Sequence, residues 1–412
     1  MWTTLLDRML RRMIRQGELT VTYPNGQART YGPGGARAAI HIRTDGALRA
    51  LCLRPELALG EGYMDDTIGI GGNAELEDLL TLLLRNRRPD AFPAYLRALE
   101  RARFHARAWV QRNSARTSRA NVAHHYDLSD DLYRLMLDAD MQYSCAYFER
   151  PDMTLEEAQA AKKRHIARKL MIEPGMEILD IGCGWGGMAL TLAREYGARV
   201  TGVTLSENQL ATARDRADRA GLADRITFHL KDYRDLDARF DRIVSVGMLE
   251  HVGLPHYGEY FAKVSELLDP DGIALIHTIG RVSPPIPHSP WIHKYIFPGG
   301  YVPSLSELLP ALERSGLWQA DIELWRLHYA FTLREWRNRF DAGLDTVRGW
   351  YDERFIRMWR YYLTACIMSF ERQHLCVCQL QLAHRRDAVP LTRDYLYRTD
   401  GGTDMSRCQA AE

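Results

Sequence analysis

Nowhere in these 412 residues does an apolar run approach the roughly 18 uncharged positions that a membrane-spanning helix needs, which excludes a helical span. An excess of one charge is missing as well. The 54 Lys+Arg stand against 53 Asp+Glu, a formal net charge of +1, and without a global basic field nucleic acid is not the implied partner. Cysteine is sparse: the seven, at positions 52, 145, 183, 366, 376, 378 and 408, are odd in number and form no repeated CxxC pair. That argues against a disulfide scaffold or a zinc site and fits a cytosolic protein with free thiols. Arg8, Arg11, Arg12 and Arg15 interrupt the N-terminus, so it does not read as a secretory signal. No internal repeat or low-complexity tract is present.

What is there is organised around Glu177-Ile178-Leu179-Asp180-Ile181-Gly182-Cys183-Gly184-Trp185-Gly186. A short apolar run that ends in an acid and opens into glycines is how a buried parallel strand delivers a ligand to its carboxyl end. The spacing is not G-x-G-x-x-G, and no lysine follows as in a phosphate-binding loop. A small non-phosphorylated nucleoside therefore fits better than NAD or ATP. Around this stretch helices alternate with strands: helix 155–171, strand 177–181, helix 186–196, strand 199–203, helix 206–220, strand 226–230, strand 241–246, helix 257–268 and strand 272–279. This predicts an α/β, doubly wound, mostly parallel sheet. Residues 320–326 and 328–332 read as a terminal strand pair, and 351–382 as a long helical pattern.

Ahead of this lies a small α+β domain, residues 1–95. Its first helix, 2–15, sets Trp2, Leu5, Leu6, Met9, Leu10, Met13 and Ile14 against four arginines. Such a helix either caps its own domain or lies on an anionic bilayer. Leu19–Tyr23 and Ala38–Ile42 read as strands, Pro24-Asn25-Gly26 and Gly32-Pro33-Gly34-Gly35 as turns, and Leu76–Leu84 as a helix. A basic linker helix, 96–120, follows. Its arginines 97, 101, 103, 107, 112, 116 and 119 face a single acid, Glu100, either as a solvated face or as a contact for lipid phosphate. The catalytic domain is assigned to 121–385 and a tail to 386–412.

In the pocket, Asp180 would contact the ligand or orient the glycines. An acid at the end of the second strand, the ribose ligand of NAD-binding units, is not cleanly present: Thr204-Leu205-Ser206 stands there, with Glu207 on the next helix. Asp232-Tyr233, after the third strand, would set a carboxylate and a ring against an adenine, unless Tyr233 is an ordinary half-buried aromatic. Such a pocket suits S-adenosylmethionine, whose sulfonium is favoured by carboxylates and aromatic faces. An Asn/Asp-Pro-Pro-aromatic run, expected of a nucleic-acid amino-methyltransferase, is lacking after strand four, where Val246-Gly247-Met248-Leu249 stands. Ser283-Pro284-Pro285-Ile286 is read as a loop stiffener. The strand ends carry Glu250-His251 and His277 instead. Upstream are His124-His125-Tyr126-Asp127 and Tyr143-Ser144-Cys145-Ala146-Tyr147-Phe148, residue types able to bind a small anion or shuttle a proton.

With His125-Tyr126-Asp127-Leu128-Ser129, Tyr143–Phe148, Leu179–Gly186, Gly202–Ser206, Glu250-His251-Val252-Gly253 and Ile296-Phe297-Pro298-Gly299-Gly300, the chain closely resembles the cyclopropane-fatty-acyl-phospholipid synthase and mycolic acid cyclopropane synthase family over residues 120 to 382. The N-terminal Gly60-Glu61-Gly62-Tyr63-Met64-Asp65 is similar to the phospholipid synthase branch. The resemblance implies a class I S-adenosylmethionine-dependent methyltransferase fold. It further implies methyl transfer to the cis double bond of an acyl chain in a membrane phospholipid, with a bicarbonate ion accepting the proton whose loss closes a cyclopropane ring. By motif, that ion would be held by Cys145, Glu250, His277, Ile279 and Tyr329, the cysteine and isoleucine through backbone groups. Asp180, Gly182, Gly184, Thr204, Leu205, Gln209, Asp232 and Tyr233 would surround the cofactor with Tyr143, Ser144 and Trp185, and His125 would sit in a lid-like segment near its methionine end. Tyr143, Tyr147, Phe148 and Trp185 are candidates to line the cavity and steady a cationic intermediate.

The resemblance also implies a homodimer, peripherally attached to the inner face of the cytoplasmic membrane, and no metal. It departs at Ser369-Phe370-Glu371-Arg372, where the family reads Ser-Phe-Arg, so Arg372 becomes the candidate for that arginine's space. Cys376 and Cys378 read as helix packing. Two alternatives stay open: methyl- or methylene-branching of the same chains, and an inactive lipid-binding protein that keeps the fold.

Overall fold

The strand Glu177–Ile181 lies inside a seven-stranded sheet, fifth in its order, and every residue after its first is buried. The computed structural model describes residues 1–88, 91–112 and 129–397. Calling this strand β5, the others of the sheet are β6 (Arg199–Thr204), β7 (Ile226–Leu230), β8 (Phe240–Val246), β9 (Leu268–Arg281), β10 (Trp318–Trp325) and β11 (Leu375–Ala383). They are ordered β10-β11-β9-β8-β5-β6-β7. β7, β6, β5, β8 and β9 run parallel, and β11 runs antiparallel to both of its neighbours. Successive residues feed opposite faces, as the two-residue period requires. Leu179, Ile181, Ile243 and Ile276 enter one core, while Ile178, Val200, Val244 and Leu275 enter the other. Between β5 and β8 the strand order reverses, and the carboxyl ends there open the crevice in which α/β sheets bind ligands.

Two expectations for the C-terminal part are corrected. Residues 328–332 are not a strand but the start of the helix His328–Ala342. Their aromatic and β-branched composition imitates a strand, yet Leu333, Trp336 and Phe340 continue at helical spacing into the core. The helical pattern of 351–382 stops at Arg372, where the helix Glu353–Arg372 ends, and the strand that pairs with β10 is β11. From Cys376 onward β11 is buried on both faces, and only Gln373 and His374 separate it from the helix before it, so the short alternation Gln379-Leu380-Gln381-Leu382 is absorbed into the helical pattern. Cys376 and Cys378 accordingly pack within a strand, their Sγ atoms 3.7 Å apart. The segment after β11 folds back on the sheet, with Leu396 buried and Arg393 paired with Asp321.

The N-terminal domain holds a second sheet: β1 (Gly17–Thr22), β2 (Ala28–Gly34), β3 (Arg37–Ile42) and β4 (Ile68–Ile70), in the order β2-β1-β3-β4. Gly32, Pro33 and Gly34, expected in a turn, belong to β2. β2 is an edge strand, where proline's missing N–H can be tolerated. The helix Trp2–Met13 buries Leu6, Met9 and Leu10 against this domain, and Arg8, Arg12 and Arg15 are exposed. It thus caps its own domain.

The Gly60–Asp65 motif lies on the helix Pro55–Met64 and its cap, and joins the two domains. A Cβ on Gly60 would stand 2.4 Å from the Trp291 ring. Glu61 accepts from Lys294 Nζ (2.6 Å) and Tyr295 OH (2.9 Å), and Asp65 accepts from Arg354 (2.7 Å). The basic helix runs Ala94–Val110. Arg103 there pairs with Glu56 and Arg107 with Glu307, so these two arginines are engaged within the protein. Arg116 and Arg119 lie outside the described residues.

Candidate active site

Beyond β5 the chain turns so tightly that Gly182 takes a φ of +80°, open to glycine at little cost. A Cβ there would press on Met248 at 3.0 Å, and one on Gly187 would come 2.2 Å from Gln142 Nε2. The glycines thus form a cradle that side chains would fill. It opens on a cavity of about 160 Å³ lined by Tyr143, Ser144, Asp180, Gly182, Gly184, Trp185, Thr204, Leu205, Gln209, Asp232 and Tyr233. These are the expected cofactor residues except His125, which lies outside the described residues. The helix Gly187–Tyr196 starts at the cradle, and its first N–H groups have no partner within the helix.

Inside the cavity polar groups are prepared to differing degrees. Asp180 is 2% exposed and its Oδ2 has no hydrogen-bond partner among the described residues. Burial pushes its carboxyl up to about 7. Thr204 Oγ1 donates to Gln209 Oε1 (2.8 Å). Trp185 Nε1 donates to Asp130 Oδ1 (3.1 Å), which also receives Asn208 Nδ2 (3.0 Å). Asp232 is already engaged, because Arg234 Nε and Nη2 grip its two oxygens at 2.9 and 2.7 Å. Tyr233 is 9% exposed, with its ring edge-on to Tyr260.

Sequence reasoning missed Lys162. It is fully buried, and its Nζ donates to Gln142 Oε1 (2.6 Å) and Ser144 Oγ (2.7 Å), two residues of the cavity wall. Burial pulls its ammonium down to about 8. The signal was available: Lys162 stands four residues from both Ala158 and Ile166, on the apolar face of the helix Leu155–Leu170.

A second cavity, of about 430 Å³ and mostly apolar, adjoins the first. Tyr143, Ser144, Gly247 and His251 line both. The second one contains Cys145, Glu250, His277, Ile279 and Tyr329, so all five expected anion-site residues come to one place. Glu250 Oε1 accepts the Ile279 N–H at 2.6 Å, while Oε2 has no partner among the described residues. Burial pushes this carboxyl up to about 7. The Ile279 amide therefore holds Glu250 in place. Gln379 Nε2 donates to His277 Nδ1 (3.1 Å), which leaves the ring proton on Nε2. Burial holds this imidazole neutral. Gln379, buried on β11, was hidden by the helical reading of that segment. Cys145 Sγ donates to the Ala146 carbonyl (3.3 Å), and burial pushes the thiol up, so thiolate chemistry is not required. Tyr329 packs against Phe370 and Trp336.

Two expected lining residues are elsewhere. Tyr147 stacks on His165 and His328 (4.6 and 5.0 Å), and Phe148 meets Phe331 edge-on. Neither borders either cavity. The Tyr147 N–H is fixed by the Ala158 carbonyl, and that of Phe148 by His328 Nδ1, which holds this segment away. Arg372 is exposed, and Glu371 before it pairs with Arg334. Among the described residues no group of His, Cys, Asp and Glu could hold a metal.

The parallel sheet with its reversed strand β11, the glycine cradle and the buried carboxylate of Asp180 define a class I S-adenosylmethionine-dependent methyltransferase. A family model described as mycolic acid cyclopropane synthetase matches residues 113–380, and a domain of unknown function (DUF7884) matches residues 5–90. The chain belongs to the mycolic acid cyclopropane synthetase family and is an enzyme. It is 40% identical over 355 residues to the cyclopropane-fatty-acyl-phospholipid synthase of Escherichia coli K12, covering 84% of this chain and 88% of that one. It is 35% identical over 396 residues to the tuberculostearic acid methyltransferase of Mycobacterium tuberculosis, covering 92% and 90%. Among solved structures, the mycolic acid cyclopropane synthase CmaA1 complexed with SAH and CTAB superposes with a TM-score of 0.61 at 35% identity, covering 64% of this chain and 97% of that one.

Proposed function

We propose that this enzyme methylates the cis double bond of an unsaturated acyl chain in a membrane phospholipid and closes a cyclopropane ring, a bound bicarbonate taking the proton. The observation that carries this reading is the junction of the two cavities. A cradle suited to a nucleoside shares Tyr143 and His251 as wall with an apolar chamber that holds Glu250 Oε2, unpartnered among the described residues.

When bound, S-adenosylmethionine supplies an electrophilic methyl group. The residues do the rest. Asp180 Oδ2 is the free acceptor facing that ligand, and the glycines let its body lie close to backbone. Because an alkene is a weak nucleophile, alignment and exclusion of water are the main tasks, and the apolar wall of the second cavity performs both. The Tyr143 ring, whose OH lies 2.8 Å from that of Tyr362, offers a face to developing positive charge. Two bare negative charges side by side repel. A carboxyl at about 7 keeps a proton for much of the neutral range, so Glu250 would donate to an anion and not repel it. His277 would donate through Nε2, and Tyr329 would close the set.

The test is mass spectrometry of unsaturated phospholipid vesicles incubated with enzyme and S-adenosylmethionine. Ring formation adds one CH₂ and removes the alkene; unchanged lipid sinks the reading. The second reading, methyl- or methylene-branching, is favoured by the 35% identity to the tuberculostearic acid methyltransferase, and a methylene product would retain an alkene. An inactive lipid-binding role is opposed by the convergence of Glu250, His277 and Tyr329 in one cavity. We further infer peripheral attachment to the inner leaflet of the cytoplasmic membrane, which the exposed Arg8, Arg12 and Arg15 of the first helix and its end support, and a homodimeric working unit, the commonest oligomer.

A further inference from the structure

The larger cavity is mostly apolar; besides Glu250 and His277, the charged residues on its wall are Glu56, Arg87 and Arg281. Arg281 is the last residue of β9 and is 9% exposed. Its Nε has no hydrogen-bond partner among the described residues, and Nη1 reaches only Ser283 Oγ, at 3.4 Å. A guanidinium stays protonated in a protein, and holding that charge out of water without an anion is costly. Nearby Arg87 and Arg103 differ in this respect, because both are turned to Glu56, at 2.9 and 3.3 Å. Arg281 therefore stands as the buried cation of this cavity still short of acceptors.

Its position carries meaning too. His277, Ile279 and Arg281 alternate along β9 and all border the same cavity. Four residues of strand separate Arg281 from His277 by about 13 Å, a reach that fits the stretch of acyl chain between an internal alkene and its ester end.

We propose that Arg281 is an anchor for the phosphodiester of the lipid headgroup, receiving its oxygens through the Nε and Nη face while the acyl chain runs back to Glu250 and His277. This rests on reading the larger cavity as the lipid site. It adds a specificity element: lipid with a phosphate is held, and lipid without one is not. Planar, forked donation to phosphate is what arginine does best.

The test is binding of saturated lipids to the full chain, so that no turnover is required. Dipalmitoylphosphatidylglycerol and dipalmitoylglycerol are presented separately in nonionic micelles and titrated by tryptophan fluorescence. The wild type is expected to prefer the phospholipid by about tenfold or more. Arg281→Gln should erase that preference by weakening the phospholipid alone, and Arg281→Lys, which keeps charge without the fork, should fall between. S-adenosylmethionine affinity, unchanged in both variants, reports an intact fold. A wild type without preference, or an Arg281→Gln variant that loses both lipids alike, overturns the anchor. If the glutamine variant does not fold, the lysine variant and the wild-type preference decide. Failure of the methyl-transfer reading would appear separately, as a preference that persists while unsaturated phosphatidylglycerol is left unmethylated.

Discussion

Glu250 and Asp180 are both buried carboxyls, each with one oxygen unpartnered among the described residues, yet they face different cavities and their tests differ. Glu250→Gln keeps shape and a donor but cannot relay onward the proton that the bound anion would take up in each turnover. Its turnover should fall about a hundredfold with S-adenosylmethionine affinity nearly intact; an unchanged rate would sink the anion site. Since Glu250 holds its proton below about 7, wild-type turnover should decline as pH rises through that value, and the glutamine variant should lose this limb. For Asp180 the readout is stability. The folded chain keeps that proton up to about 7, whereas the unfolded chain releases it near about 3.9. Between those values the unfolded state binds fewer protons, so stability falls as pH rises. Asp180→Asn should therefore raise the melting temperature of the cofactor-free enzyme at pH 8, with the gain vanishing below pH ~4, and should weaken cofactor binding. A melting temperature that is unchanged at pH 8 would refute the burial argument.

At the scale of elements, the buried lysine of Leu155–Leu170 ties a helix to the cofactor wall. Lys162→Met fills similar space but leaves Gln142 Oε1 and Ser144 Oγ without their donor. Calorimetry should show S-adenosylmethionine affinity reduced about tenfold or more, and a variant that binds like wild type would show the wall to be self-supporting. The elements also show what can be read in a chain before it is folded. β5 through β9 were legible because short apolar runs alternate with helices whose polar faces are plain. β11 was not, since only Gln373 and His374 separate it from the helix before it, and the alternation of Gln379-Leu380-Gln381-Leu382 is too short to break the helical pattern that runs into it. The expected cofactor and anion-site residues that line the two cavities were found through linear motifs. Lys162, Gln379 and Arg281 stand outside the motifs used, and their roles come from neighbours distant in sequence.

For the whole molecule, the proposed function raises the question of how a protein whose described helices do not cross a membrane would meet a substrate embedded in one. The N-terminal domain contributes to the larger cavity through Leu79, Leu80 and Leu83, so it stands beside the proposed lipid site and is not a remote appendage. Its first helix turns its apolar face inward and leaves Arg8, Arg12 and Arg15 exposed. Arg11, also exposed, already serves Asp7 (3.0 Å). A surface of this kind attaches to a bilayer by charge and not by insertion. Near an anionic surface each such arginine contributes about 1 kcal/mol, with a range set by the Debye length. Replacing Arg8, Arg12 and Arg15 by glutamine should therefore weaken sedimentation with phosphatidylglycerol vesicles by about a hundredfold and flatten its salt dependence. Turnover of the same lipid dispersed in detergent should be untouched, because none of the three borders either cavity. Equal binding by the variant and the wild type would remove this helix from the membrane account, and a loss of turnover in detergent as well would mean that the arginines hold the domain itself together.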